Sequence, residues 1–238
     1  MGESEESTDT SSTLKSSTAR DLAMPAKIIV SPFDAFKQLA TNPTAKGLIS
    51  LVAFVILVSA AALYASATKI VLTVDGQYVG FIATSGFSNW FLGALTMTLF
   101  SIALYWLTAA ASLALISRFS FKSSKVISLR TSFVIFGYLL SVFVVLYVVR
   151  AALYFALPQI TFTSSTLPEI DEVRTLVTQN WAPLPVYQLF EYSAYAAFVW
   201  LFLLGAIAIR AMKGISWFKA CMISLTGFLL TLTLFGVP

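Results

Sequence analysis

Histidine is absent from this sequence, cysteine occurs once, and charged residues are few. Without histidine the chain lacks the commonest general base and the commonest transition-metal ligand of proteins. The single cysteine, Cys221, excludes an intramolecular disulfide. The sequence also contains no nucleophile elbow and no phosphate-binding loop. We therefore predict a protein that is not an enzyme and that holds no metal or cofactor.

The shortage of charge indicates a membrane protein. Only 11% of the 238 residues are charged and 58% are hydrophobic, whereas soluble domains carry about 25% charged residues. Lipid accepts an apolar protein exterior that water does not. The net charge of +4 does not point to nucleic acid, because the basic residues lie between apolar segments and not on one polar face.

Five apolar segments are long enough for transmembrane helices, which need about 20 residues to cross the hydrocarbon core. They comprise residues 47–67, 90–117, 131–157, 185–209 and 217–237. The predicted fold is an all-α bundle of five transmembrane helices over residues 47–238, with small exterior loops. A disordered tail over residues 1–19 and a cytoplasmic amphipathic segment over residues 20–46 precede it.

A short amphipathic helix is predicted over residues 31–41. Ser31 is a good N-cap, Pro32 suits the first helical position, and Asp34 completes a pattern that resembles a capping box. Its apolar residues at helical spacing include Phe33, Phe36 and Leu39. We expect these side chains to enter the membrane interface. The alternative is an ordinary helix that precedes the first span without contacting lipid.

Both exterior loops carry signs of local structure. Asp75-Gly76 lies between two runs rich in β-formers, which predicts a two-stranded hairpin. In the loop 158–184, Thr166 and Pro168 can start a helix. Its apolar face, Ile170, Val173, Leu176 and Val177, is expected to lie against the bundle.

The number of lysine and arginine residues alternates between high and low from one connecting segment to the next. There are five before the first span, four in residues 118–130 and three in residues 210–219, against one in each exterior loop and none at the C-terminus. The positive-inside rule then places the N-terminus in the cytoplasm and the C-terminus outside, in what we expect to be the cell membrane. We define the basic rim as Arg118, Lys122, Lys125, Arg130, Arg210, Lys213 and Lys219. It either anchors the topology or contacts anionic lipid or a partner.

Arg150 and Glu191 are the two charges that we expect to lie inside the membrane. Each lies roughly 10 Å below the outer end of its helix, at 1.5 Å per residue. A guanidinium and a carboxylate at equal depth reduce each other's insertion cost, so we predict an ion pair that fixes the two helices. The alternative is a polar path through a transporter subunit or small permease.

Three stretches of the chain resemble the Yip family of integral membrane proteins, named for interaction with Rab-type GTPases. They are Ser31-Pro32-Phe33-Asp34-Ala35-Phe36 with Asn42-Pro43, then Phe119-Ser120-Phe121-Lys122 with Gly137-Tyr138, and finally Trp200 to Gly205 with Lys213-Gly214-Ile215-Ser216 and Lys219-Ala220. The resemblance implies five membrane helices and a cytoplasmic N-terminus. The Asp-Leu-Tyr-Gly-Pro motif of eukaryotic trafficking members is absent, so the chain looks more like the prokaryotic branch and Rab binding is not carried over.

The composition and this resemblance together lead to a functional expectation. We expect a scaffold or accessory protein without catalysis, whose partners are the lipid bilayer and other membrane proteins. It would bind them through the basic rim and the N-terminal helix.

The charge count predicts which loops a membrane-impermeant thiol reagent reaches in intact cells. In a Cys221→Ser background, a cysteine replacing Tyr78 should be labelled, because the loop 68–90 lies outside. A cysteine replacing Ser123 should react only after the membrane is permeabilised. Gel-shift labelling measures both reactions. If Ser123→Cys were labelled in intact cells and Tyr78→Cys were not, the orientation would be the opposite of the predicted one.

Overall fold

The computed structural model describes residues 23–74, 76–119, 129–163 and 170–235, and these residues are mostly helical. The helices are α1 (residues 23–30), α2 (Pro32–Thr41), α3 (Lys46–Ala67), α4 (Phe87–Phe119), α5 (Leu129–Gly137), α6 (Ser141–Ala156), α7 (Ile170–Trp181), α8 (Pro185–Lys213) and α9 (Trp217–Phe235). A 3₁₀ turn, Tyr138–Leu140, joins α5 to α6. The predicted tail, residues 1–19, lies outside the described residues.

Four helical stretches are long and apolar enough to cross a membrane. They are α3, the Phe87–Ile116 part of α4, the continuous stretch Arg130–Ala156 through α5 and α6, and α8. Each overlaps a predicted span, which bears out the prediction of a helical membrane protein. The predicted fifth span coincides with α9, whose apolar part, Trp217–Thr231, is shorter.

A small β-sheet joins the loops between the long helices. Strands β1 (Ile70–Val74) and β2 (Gln77–Gly80) pair antiparallel, and Gly76 has a φ of +76°, which glycine adopts without strain. This confirms the predicted hairpin. A third strand, β3 (Ile160–Thr163), pairs parallel to β1, with Ile70 opposite Ile160. Strand β3 was not predicted, because a run of four residues in a long loop is a weak strand signal.

The chain divides into two compact units. The first comprises residues 1–53, 106–141 and 201–234, and the second comprises residues 54–105, 142–200 and 235–238. Helices α1, α2, α5 and α9 therefore lie almost entirely in the first unit. The sheet, α7 and the Arg150 region lie in the second.

In the first unit, α2 packs against α5. Phe36 and Leu39 are fully buried within the protein, and Tyr138 donates a hydrogen bond from its hydroxyl to the carbonyl of Thr44 at 3.0 Å. The lipid contact predicted for Phe36 and Leu39 is therefore wrong. The physical reason is that an apolar helix face can be covered by protein as well as by lipid. Only Phe33 of the three predicted residues is exposed.

Helices α8 and α9 approach closely in the same unit. A Cβ on Gly205 would lie 2.6 Å from Ser224 Oγ and 3.0 Å from a ring carbon of Phe228. Ser224 Oγ donates a hydrogen bond to the carbonyl of Phe202 at 2.8 Å. A small residue at position 205 therefore lets the helices approach, and the hydroxyl across from it bonds the neighbouring backbone.

The second unit has its own hydrophobic core beside the sheet. We call it the sheet cluster, which comprises Ala67, Ile70, Leu72, Phe81, Leu157, Ile160, Phe162 and Trp181. Trp181 is the last residue of α7, and its indole nitrogen donates to the carbonyl of Pro158 at 3.2 Å. Val177 packs against the cluster, as predicted for the α7 face. The side chains of Ile170, Val173 and Leu176 lie outside the described residues.

A substitution at Gly205 tests the close approach of α8 and α9. Gly205→Val should lower the free energy of unfolding by about 1–3 kcal/mol, because the added carbons overlap Ser224 and Phe228. The control is Gly93→Ala in α4, where a Cβ meets no atom within 4 Å. That change should be neutral or stabilising by up to about 1 kcal/mol. Unfolding in detergent measures both, and equal effects would contradict the assignment.

Candidate functional site

Arg150 on α6 is enclosed by aromatic rings. Its guanidinium carbon lies 4.5 Å from the centroid of the Phe190 ring and 5.6 Å from that of Tyr147. The Tyr147 hydroxyl lies within reach of the guanidinium charge. The Nε of Arg150 is buried and has no hydrogen-bond partner among the residues that the structure describes. Two rings therefore hold the flat cation while one of its donors stays unused.

Helical spacing brings the surrounding residues together. We define the Arg150 site as Tyr147, Arg150 and Tyr154 on α6, with Tyr187, Phe190 and Glu191 on α8. The three on α6 are three and four positions apart, which puts them on one helix face, and on α8 Phe190 and Glu191 are adjacent and follow Tyr187 by three and four positions. The ring centroids of Tyr154 and Phe190 are 5.0 Å apart, and Tyr187 stacks on Phe190 at 5.7 Å. Aromatic contacts thus join the two helices.

Glu191 belongs to the site but is not the partner of Arg150. Its side chain is exposed and lies close to the Tyr187 hydroxyl, which is also close to Thr178 of α7. No nitrogen–oxygen distance of 4.0 Å or less joins Arg150 to Glu191, both of which the structure describes. The predicted direct ion pair is therefore not formed. Phe190, one position earlier on α8, occupies the place beside the guanidinium.

The site adjoins the sheet cluster. Tyr154 and Tyr187 both pack against that cluster, and Tyr154 also lies 6.0 Å from Trp181, ring to ring. Arg150 precedes the last residue of α6, Ala156, by six positions, or about 9 Å along the helix axis. Tyrosine and tryptophan concentrate where membrane meets water, so this aromatic layer is typical of the interfacial level.

The basic rim lies in the first unit, and only part of it is described. Arg130 and Lys219 are exposed, whereas Arg210 and Lys213 are half-buried. The guanidinium of Arg210 lies 4.5 Å from the centroid of the Trp217 ring, across a turn at Gly214, whose φ is +65°. The side chain of Arg118, and Lys122 and Lys125 altogether, lie outside the described residues.

An exposed apolar elbow stands where α1 meets α2. Val30 is 85% exposed, Phe33 40% and Ile29 36%. We define the elbow as Ile29, Val30 and Phe33. Beside it, Lys27 donates a hydrogen bond to the side-chain oxygen of Gln38 at 2.9 Å. Sequence reasoning found Phe33 and missed the other two. The apolar Ile29-Val30 pair directly before Ser31-Pro32 was the available signal.

Three comparisons with known proteins add no assignment. No family model, no curated protein and no solved structure matches this chain. The Yip resemblance therefore rests on the three short stretches of sequence described above.

A double-mutant cycle distinguishes the aromatic cage from an ion pair. Arg150→Ala should couple to Tyr147→Phe more strongly than to Glu191→Ala. The effects of Arg150→Ala and Glu191→Ala on the free energy of unfolding should be additive to within about 0.5 kcal/mol. The reason is that Arg150 contacts Tyr147 and does not contact the carboxylate. Unfolding of the purified variants in detergent measures each coupling.

The matched control for that cycle is Tyr195→Phe, which removes an exposed hydroxyl from the same helix, α8. It should show no coupling to Arg150→Ala. A coupling above about 1 kcal/mol between Arg150 and Glu191 would restore the ion pair.

Proposed function

We propose that this chain is a non-enzymatic membrane scaffold or accessory protein of a Yip-like type, which binds other membrane proteins through its first unit. The observation that carries the proposal is the exposed apolar elbow, held in place by buried neighbours on both sides. The Yip resemblance supports the same class of function.

Buried side chains on either side of the elbow fix it to the first unit. Met24 and Ile28 on α1, with Phe36 and Leu39 on α2, are almost fully buried. Each such side chain contributes about 1.5–3 kcal/mol when it leaves water. Because the elbow is ordered before a partner arrives, binding has a smaller entropy cost to overcome. Val30, the most exposed of its residues, is the expected centre of the contact.

Lysines lie on both helices that form the elbow, Lys27 on α1 and Lys37 on α2, together with the carboxylate of Asp34 beside Phe33. Elsewhere in the first unit Arg130 and Lys219 are exposed. This charge favours a partner with an acidic surface and speeds its association. The basic rim would then both orient the protein in the membrane and contribute to partner choice.

The proposed orientation places the elbow and the rim in the cytoplasm of the cell. The distribution of lysine and arginine along the sequence supports it. In this arrangement α9 is the fifth span, the sheet lies outside, and the C-terminus is exterior. A helix as short as the apolar part of α9 crosses a bilayer when the membrane thins locally or flanking residues reach the interface.

A transporter subunit is the alternative, and the aromatic packing around Arg150 disfavours it. The Tyr154 and Phe190 rings fill the space beside the guanidinium. A polar path needs water or polar groups where these rings lie. Packed rings instead support a structural or binding role for Arg150.

Site-specific photo-crosslinking tests the scaffold proposal in cells. A photoreactive phenylalanine analogue at position 30 should form a crosslink to a membrane protein, and Phe33→Asp should reduce its yield several-fold by placing a charge in the apolar contact. The control position is Tyr78 on β2, which is exposed in the second unit. Crosslinks from position 78 but not from position 30, or a yield unaffected by Phe33→Asp, would contradict the proposal.

A further inference from the structure

Basic and aromatic side chains meet where α8 ends and α9 begins. Arg210 and Lys213 lie in the last turn of α8, and Trp217 and Phe218 are the first two residues of α9, both of them exposed. We call these four residues the α8–α9 patch. The stretch of α8 that is long enough to cross a membrane ends at Lys213. The patch therefore lies at the level where this span leaves the hydrocarbon core and lipid headgroups begin.

The two cations of the patch have no acidic partner among the described residues. Residues 192–238 contain three cations and no aspartate or glutamate. The two carboxylate side chains that the structure describes are those of Asp34 and Glu191, and neither forms an ion pair with the patch. The patch is therefore positively charged and complements a negatively charged ligand.

Trp217 orients the guanidinium of Arg210. The guanidinium carbon lies 4.5 Å from the centroid of the Trp217 ring. Gly214, with its φ of +65°, turns the chain so that Trp217 returns over the last turn of α8. Of the described rings, only this one contacts Arg210, whereas two rings contact Arg150. A ring on one face leaves the N–H edge of the guanidinium for a phosphate, whose oxygens the planar fork binds in pairs.

Exposed apolar side chains share a helix face with the patch on both helices. On α8, Leu203 and Ile207 precede Arg210 by seven and three positions, and both are at least partly exposed. On α9, three exposed residues follow Phe218 by four, seven and eleven positions and continue its face; they are Met222, Leu225 and Leu229. Both faces run from the patch toward the middle of their helices, which is the direction that acyl chains take from a headgroup.

We propose that the α8–α9 patch binds a phospholipid of net negative charge. Arg210 and Lys213 bind its phosphate, and its acyl chains lie along the apolar faces that continue from Arg210 and Phe218. A zwitterionic headgroup fits less well, because its own ammonium group is repelled by the two cations. The inference does not rest on the scaffold role, since it concerns a lipid and does not involve the elbow.

Native mass spectrometry of the full chain in detergent tests the proposal with two dioleoyl lipids. Phosphatidylglycerol is anionic and phosphatidylcholine is zwitterionic. Phosphatidylglycerol should bind about tenfold more tightly or better, because each cation near an anionic headgroup is worth about fivefold in affinity. Equal binding of the two lipids would overturn the proposal, because cations that only anchor the topology need no lipid selectivity. Displacement of phosphatidylglycerol by millimolar inorganic phosphate would overturn the lipid source.

Variants assign the selectivity to the patch. Lys213→Gln should weaken phosphatidylglycerol binding about fivefold, and Arg210→Gln should weaken it further, because the paired hydrogen bonds are also lost. Arg210→Lys should lie between Arg210→Gln and the native chain, since it keeps the charge and loses the fork. Trp217→Leu should weaken binding a few-fold, because it keeps both cations and removes the ring that orients one of them.

The matched control is Lys46→Gln, which removes an exposed cation at the start of α3 and changes the net charge by the same amount. It should bind phosphatidylglycerol as the native chain does. A loss equal to that of Lys213→Gln would show general attraction to the charge of the protein and would overturn the site. If Arg210→Gln does not fold, Lys213→Gln and Arg210→Lys decide the question. Native-like binding in these folded variants would also overturn the proposal.

Discussion

Parallel pairing of β1 with β3 is the interaction on which the second unit depends. Beside the sheet, the backbone N–H of Ile160 donates to the carbonyl of Lys69 at 2.8 Å, and Lys69 Nζ donates to the carbonyl of Phe155 at 2.8 Å. These bonds satisfy backbone groups where the helices end and no helical partner remains. The sheet cluster forms on this base, and Tyr154 and Tyr187 pack against the cluster. The position of Arg150 therefore follows from a pairing between segments that are distant in sequence.

The long helices and the hairpin were predictable from local sequence, whereas the third strand was not. Apolar length identifies a membrane helix by itself, and Asp75-Gly76 identifies a tight turn by its backbone requirement. Strand β3 offers only Ile160 and Phe162 alternating with threonines. Its partner, β1, is separated from it in the sequence by three helices. No local pattern specifies such a pairing, so the sheet cluster and the role of Trp181 could not be predicted from the sequence.

The candidate site shows a second limit of sequence reasoning, which is the rotation of an apolar helix about its axis. The equal depth of Arg150 and Glu191 followed from counting residues. One residue along a helix turns the side chain by about 100°, and α8 is apolar on most sides, so the sequence did not fix which residue faces α6. Phe190 does so in place of Glu191. Phe36 and Leu39 illustrate the same ambiguity, because burial within the protein and insertion into lipid require the same pattern.

The parallel register of β1 and β3 also constrains the order of assembly during synthesis. The ribosome makes β1 and β2 first, then α4, α5 and α6, and only then β3. One edge of β1 must wait unpaired through the synthesis of three helices, a long interval for an exposed strand edge. Closure of the sheet thus marks the moment at which the chain on either side of these helices has come together. The sheet is therefore completed only after α4, α5 and α6 have been synthesised.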